Sequence, residues 1–170
     1  MALTPRVRPM EKALLALAAL VVFCLAALPA RADFLDRVDY TLTNQNGADF
    51  RGQNLSEASF AGVQGRQADF TGADLSGAIF TQAAFPESDF SAADLSDALL
   101  DRVDFHDAVF TGAVLRNVIA SGSDFSGATV RDADFTDALL DRSDQIALCR
   151  EAEGTNPTTG VDTRLSLGCG

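Results

Sequence analysis
The stretch QADFTGADLSGAIF (residues 67–80) puts a large apolar residue at Phe70, Leu75 and Phe80. The spacing is five, which is neither the 3.6 of a helix nor the 2 of a strand. Extending the register over every multiple of five from 40 to 140 gives 21 positions, of which ten are Phe and six are Leu. Tyr40 and Val130 are also apolar, and the exceptions are Gln45, Gly65 and Ala120. Two residues before the large one, Ala occurs 13 times in 21. Between the two sits an Asp or Asn in about half the units, such as Asp49, Asn54, Asp69, Asp74, Asp89 and Asp94. A fixed internal period outranks other signals in a sequence.

Side-chain direction turns this pattern into a shape. In an extended segment, residues i−2 and i face the same side, so the small Ala and the large Phe or Leu point inward and the Asp points out. The two residues that follow are small, polar or glycine and suit a bend. Eight of the 13 glycines fall on the second of them. Each unit is then a short extended piece and a corner, and repetition winds a coil around a Phe/Leu core. Like stacks on like at a lag of 20: Phe50, Phe70, Phe90 and Phe110 form one column, and Leu55, Leu75, Leu95 and Leu115 the next. A lag of 15 mixes the columns, so four sides are expected. At the odd units, Val63 precedes Gly65 and Val118 precedes Ala120. The larger i−2 residue is expected to refill the lost volume, as close packing requires.

Residues 38–142 resemble the pentapeptide-repeat family. The resemblance implies an all-β solenoid, a right-handed quadrilateral β-helix of about five coils, roughly 25 Å long at about 4.8 Å per coil.

The flanks read differently. Residues 1–32 have a basic start (Arg6, Arg8, Lys12), an apolar run over 13–28 and an A-x-A end at Ala30 and Ala32. These are the marks of a Sec signal peptide, and the run is short for a membrane span. The remainder, 33–170, has nine Arg, no Lys and 23 acidic residues, a net charge of −14. Such a surface repels nucleic acid and anionic lipid, so no nucleic-acid partner and no membrane insertion after cleavage are expected. Residues 33–37 are expected to cap the first coil, with Phe34 over it. Residues 143–170 are expected to form a helical C-terminal cap. A helix would be N-capped by Ser143 or Asp144 and stop at Gly154, a loop would follow, and a second turn would lie within 161–169. An even cysteine pair in an exported chain, Cys149 and Cys169, reads as a disulfide.

The tail narrows the resemblance. Leu148-Cys149, Gly154 to Pro157, Asp162 to Arg164 and Cys169 are similar to the tail of exported cyanobacterial and thylakoid-lumen pentapeptide-repeat proteins. That implies a lumenal or periplasmic address and a disulfide-tied cap, without implying a reaction.

Little in the residues points to catalysis, a cofactor or a metal. His106 is the single histidine and no nucleophile can be arranged around it. The column Asp49, Asp69, Asp89 could gather cations, but hydrogen-bonding the corners is the favoured role. One irregularity stands out. At Ile79, Leu99, Ile119 and Leu139 the outward position is apolar, at intervals of 20, so these residues line one face. Val109 and Val114 are apolar at the same position on other faces. The ladder is expected to dock the helical tail over part of its length, to bind a protein partner, or to be apolar by simple tolerance. The resulting function is a non-enzymatic, exported scaffold of thylakoid lumen or periplasm. The alternatives are an acidic DNA mimic that inhibits a DNA-binding enzyme, and a redox-regulated lumenal protein.

Overall fold
A computed structural model describes residues 37–170. The signal-peptide reading of 1–32 and the placement of Phe34 lie outside the described residues.

From 38 to 140 the chain winds as a solenoid. Parallel backbone bridges join Asp39 to Ser59, Asn44 to Gln64, Asp49 to Asp69 and Asn54 to Asp74, and continue at a lag of 20 to Ile119 and Leu139. Four units therefore make one coil, as the sequence columns require. The outward residues fall on four faces. The first carries 49, 69, 89, 109 and 129. The second carries 54, 74, 94, 114 and 134. The third carries 39, 59, 79, 99, 119 and 139. The fourth carries 44, 64, 84, 104 and 124. Each unit contributes one bridged residue rather than a long strand, because a corner interrupts the chain every five residues.

The corners share one form. At all but the Leu100 and Leu115 corners the N–H three residues after the large residue returns to that residue's carbonyl, as Ala73 N–H does to Phe70 O at 2.9 Å. The second corner residue, at 42, 47 and so on to 137, always has φ between 55° and 73°. This is the residue that a type II turn sends left-handed. Glycine takes eight of these corners and twelve carry another residue, Ala92 among them.

The core is as the period predicts. Phe60, Phe70, Phe80, Phe85, Phe90, Phe105 and Phe110 are fully buried. Rings stack down each column: Phe50 on Phe70 at 4.7 Å, Phe70 on Phe90 at 4.8 Å and Phe90 on Phe110 at 5.1 Å. Leu55, Leu75, Leu95 and Leu115 fill the adjoining column. Each such side chain contributes roughly 1.5–3 kcal/mol of burial before conformational entropy is set against it. At Gly65 the Phe85 ring of the next coil also enters the gap, since a Cβ there would lie 2.1 Å from it. Val63, Val118 and Ala120 are fully buried. Two inward positions are serine rather than alanine. Ser88 Oγ donates to Gly65 O (2.8 Å) and accepts from Ala68 N–H (3.1 Å). Ser123 Oγ likewise donates to Leu100 O and accepts from Val103 N–H at 2.9 Å. Each buried hydroxyl joins one coil's turn to the next and satisfies its own polarity.

After the last coil come α1 (Arg142–Glu151) and α2 (Thr163–Ser166). The sequence reading put the N-cap of α1 two or three residues late. Its N-cap is Asp141, whose side chain makes no cap bond to the helix. Asp141 Oδ2 instead accepts Gly122 N–H at 2.9 Å, tying the last coil's corner. The helix also ends at Glu151, before Gly154. Asp162 caps α2 by accepting Leu165 N–H at 3.0 Å. The expected disulfide joins Cys149 and Cys169. Leu148, Ala152 and Leu167 join the solenoid's apolar core.

Candidate functional site: the apolar third face
The outward aspartates serve the corners. Asp69 Oδ1 accepts Thr71 N–H (2.9 Å) and Thr71 Oγ1 (2.6 Å), and Asp74 does the same for Ser76. Asp89, Asp94, Asp104, Asp124 and Asp134 accept the equivalent N–H two residues on. That N–H has no place in the turn, so an Asp or Asn at this position completes the corner. Hydrogen bonds to the charged form also hold carboxyl pKa values down. The Arg51 hydrogen bond lowers Asp49 to about 2, and the Ser126 hydroxyl and N–H lower Asp124. Burial pushes Asp134 up, but Thr136, Thr159 and Arg116 bring it below its ordinary value. In the Asp49/Asp69 column the cation is the protein's own: Arg51 bridges the two carboxylates at 2.6 and 3.5 Å. His106 pairs with Ser126 Oγ and Asp107 Oδ2, both at 3.0 Å, and is exposed. Among the described residues, no group of three His, Cys, Asp or Glu could hold a metal ion.

The third face departs from this rule. Ile79, Leu99, Ile119 and Leu139 are bridged successively and form one apolar ladder. None of them can accept the corner N–H, so the side chains are there for another reason. Ile79 and Leu99 are half-buried, whereas Ile119 is 44% and Leu139 60% exposed. The expectation that the tail docks on this ladder is therefore corrected. The tail lies over the second face, where Val114 is 8% exposed and Asp134 is fully buried.

Asn156 is what directs it there. It is 1% exposed, and its Nδ2 donates to Gly112 O (3.1 Å), Ala113 O (3.0 Å) and Asp132 O (2.9 Å). Its Oδ1 accepts Thr158 and Thr159 N–H, each at 2.9 Å. Gly154 fits beside it because a Cβ would lie 1.8 Å from Asp132 Oδ1. Asp132 Oδ1 in turn accepts Thr155 N–H at 3.0 Å, and Arg164 Nη1 donates to Cys149 O at 2.7 Å. The Gly-Thr-Asn-Pro segment thus docks the tail on the solenoid, and the Asp-Thr-Arg segment ties α2 to the rest of the tail. Sequence reasoning singled out these segments but gave Asn156 no role, and it missed Ser88 and Ser123. The only sign of the serines was a hydroxyl where Ala is the rule.

A pentapeptide repeat protein from the thylakoid lumen of Arabidopsis thaliana has a similar crystal structure. The two chains are 37% identical with a TM-score of 0.57, over 74% of this chain and 88% of that one. The chain belongs to the pentapeptide-repeat family. The family model of pentapeptide repeats matches eight copies, over residues 46–82 and 88–127. A thylakoid lumenal protein of Arabidopsis thaliana, TL20.3 of the chloroplast, is 61% identical over 44 residues. That match covers 26% of this chain and only 16% of the relative's length. Pentapeptide-repeat proteins form right-handed quadrilateral β-helices, in keeping with the lag of 20 seen here.

Proposed function
We propose that the mature protein is an exported, non-enzymatic scaffold that binds a partner protein through its third face. The observation that carries this reading is the exposure of Ile119 and Leu139 at the outer end of an apolar ladder. A solenoid presents such a ladder on a stiff, flat wall, so a partner binds without paying to order it. The lumenal relatives and the Cys149–Cys169 bond support an oxidising compartment, thylakoid lumen or periplasm. The signal-like residues 1–32 support delivery there by Sec, and the tail, packed on the second face and final coil, acts as the cap.

The test is affinity capture from the exported compartment with wild type and with Ile119→Ser/Leu139→Ser. Both replaced side chains are exposed, so the solenoid should fold as before. Selective loss of a captured protein supports the docking face. Identical captures from two equally folded proteins overturn it.

A further inference from the structure
The last coil has an open backbone edge. One coil earlier, Phe105 N–H donates to Asp124 O (2.8 Å), Asp107 N–H to Ser126 O (2.9 Å) and Phe110 N–H to Thr129 O (2.8 Å). The carbonyls of Val103 and Ala108 accept Asp124 and Thr129 N–H in the same seam. The corresponding groups of the last coil are the N–H of Phe125, Gly127 and Val130 and the carbonyls of Ser123 and Ala128. None of these five has a hydrogen-bond partner among the described residues. The edge does not stay open further on. There Asp132 N–H reaches Glu153 O at 2.8 Å, and Phe135 N–H reaches Ser166 Oγ at 3.0 Å.

The chain would have to lay a sixth coil to serve these groups, but it leaves as α1. Between α1 and the edge lies a cleft of about 370 Å³. Phe125, Gly127 and Ala128 form one wall and Ala147, Leu148 and Arg150 the other. Phe125, Ala128 and Val130 are at most 4% exposed, whereas Gly127 is exposed and Thr129, Arg131, Glu151 and Glu153 complete the lining, so the edge is open at its corner with apolar side chains on either side. Buried backbone groups are nearly always paired, and a row of unpaired ones is a template for another chain. Charge does not choose the occupant, because Arg131 is paired with Glu153 and Arg150 stands beside Glu151. An α-helix satisfies its own backbone groups and would leave these donors unserved.

We infer that this cleft is a peptide-binding site that takes a short extended segment of a partner. The segment adds one partial rung to the solenoid. Within the cleft its carbonyls accept from Phe125 and Gly127 and one N–H donates to Ala128 O; its two ends reach Ser123 O and Val130 N–H, which lie on the same edge but outside the cleft lining. Its side chains lie against Ala147 and Leu148. This is strand addition to a sheet edge, in which the backbone supplies the affinity. The site is separate from the third-face ladder and does not depend on it.

Amide hydrogen exchange on the oxidised mature protein tests this. In the free protein, Phe125, Gly127 and Val130 should exchange faster than Phe105, Asp107 and Phe110. The probe is the blocked peptide acetyl-Val-Ala-Val-Ser-Gly-Ala-Val-amide, whose second, fourth and seventh carbonyls match the spacing of Asp124 O, Ser126 O and Thr129 O in the previous rung, with inorganic phosphate as a separate arm. The peptide should slow the three edge amides about tenfold or more and leave the earlier coil unchanged. Ala147→Trp, a change at an exposed helix position, should fill the cleft and abolish the slowing. Protection of the three amides without peptide overturns the open edge. Phosphate acting in place of the peptide, or undiminished peptide binding by Ala147→Trp, overturns the peptide assignment. Ile119→Ser/Leu139→Ser should bind the peptide normally, so failure here leaves the ladder proposal standing.

Discussion

Replacing Asn156 by alanine and by aspartate isolates the contact that holds the tail on the second face. The Asn156 amide divides two protons among three carbonyls and accepts two N–H groups. Ala113 O keeps a second donor, Asp134 N–H at 3.0 Å, whereas Gly112 O and Asp132 O keep none among the described residues. Thr158 is exposed and its N–H can turn to water. Alanine therefore strands two carbonyls, at about 1–2 kcal/mol each, for a loss of about 2–4 kcal/mol. At a few degrees per kcal/mol, the melting temperature should fall by roughly 5–15 °C. Aspartate has nearly the same shape and can still accept from Thr158 and Thr159. It aims a buried carboxylate oxygen at three carbonyls, and an unpaired buried charge costs more than a missing hydrogen bond. Asn156→Asp should thus be less stable than Asn156→Ala at neutral pH. The gap between them should narrow in acid, as the introduced carboxyl gains a proton to donate. Thermal unfolding of the oxidised protein, with exchange at the second-face amides, measures both. An aspartate variant equal to or more stable than the alanine variant would refute the reasoning.

Gly65→Ala should destabilise by about 1–3 kcal/mol, because its Cβ would lie 2.1 Å from the Phe85 ring; a neutral result in denaturant titration would show that the ring moves aside freely. The pH dependence follows from Asp39, Asp49, Asp124 and Asp134, all with folded pKa values held below the ordinary carboxyl value. Their stabilisation is complete above the unfolded value of about 3.9 and disappears as pH falls through the folded values. Melting temperatures at pH 7, 4 and 2.5 should therefore show the main loss in the last step. A loss concentrated between pH 7 and 4 would contradict these assignments.

The solenoid was legible because each unit repeats the same local decision. A large residue every five positions faces inward whatever its neighbours do, so columns could be read from Phe50 to Phe110 before any contact was known. The ladder was legible for the same reason, since a lag of 20 is a property of the coil. Its exposure was not, because that depends on where the tail lands. Landing is decided by Asn156 and by carbonyls 24 to 44 residues earlier in the chain. No periodicity records such a contact. The start of α1 was misread for a related reason: Asp141 looks like part of a repeat, and its side chain is spent on Gly122. The open edge at Phe125 follows from where coiling stops relative to α1, which composition alone does not reveal.

The pairing of each residue with the one twenty places on also governs how such a chain can change length. Inserting or deleting one five-residue unit keeps every Phe and Leu inward, so the core tolerates it. It also turns everything downstream by a quarter revolution. A unit lost between Leu99 and Ile119 would send Ile119 and Leu139 to the neighbouring wall and split the apolar ladder in two. It would move the tail's landing site as well. Only whole coils can be added or removed without scrambling the walls, so the core counts in fives while the surface counts in twenties.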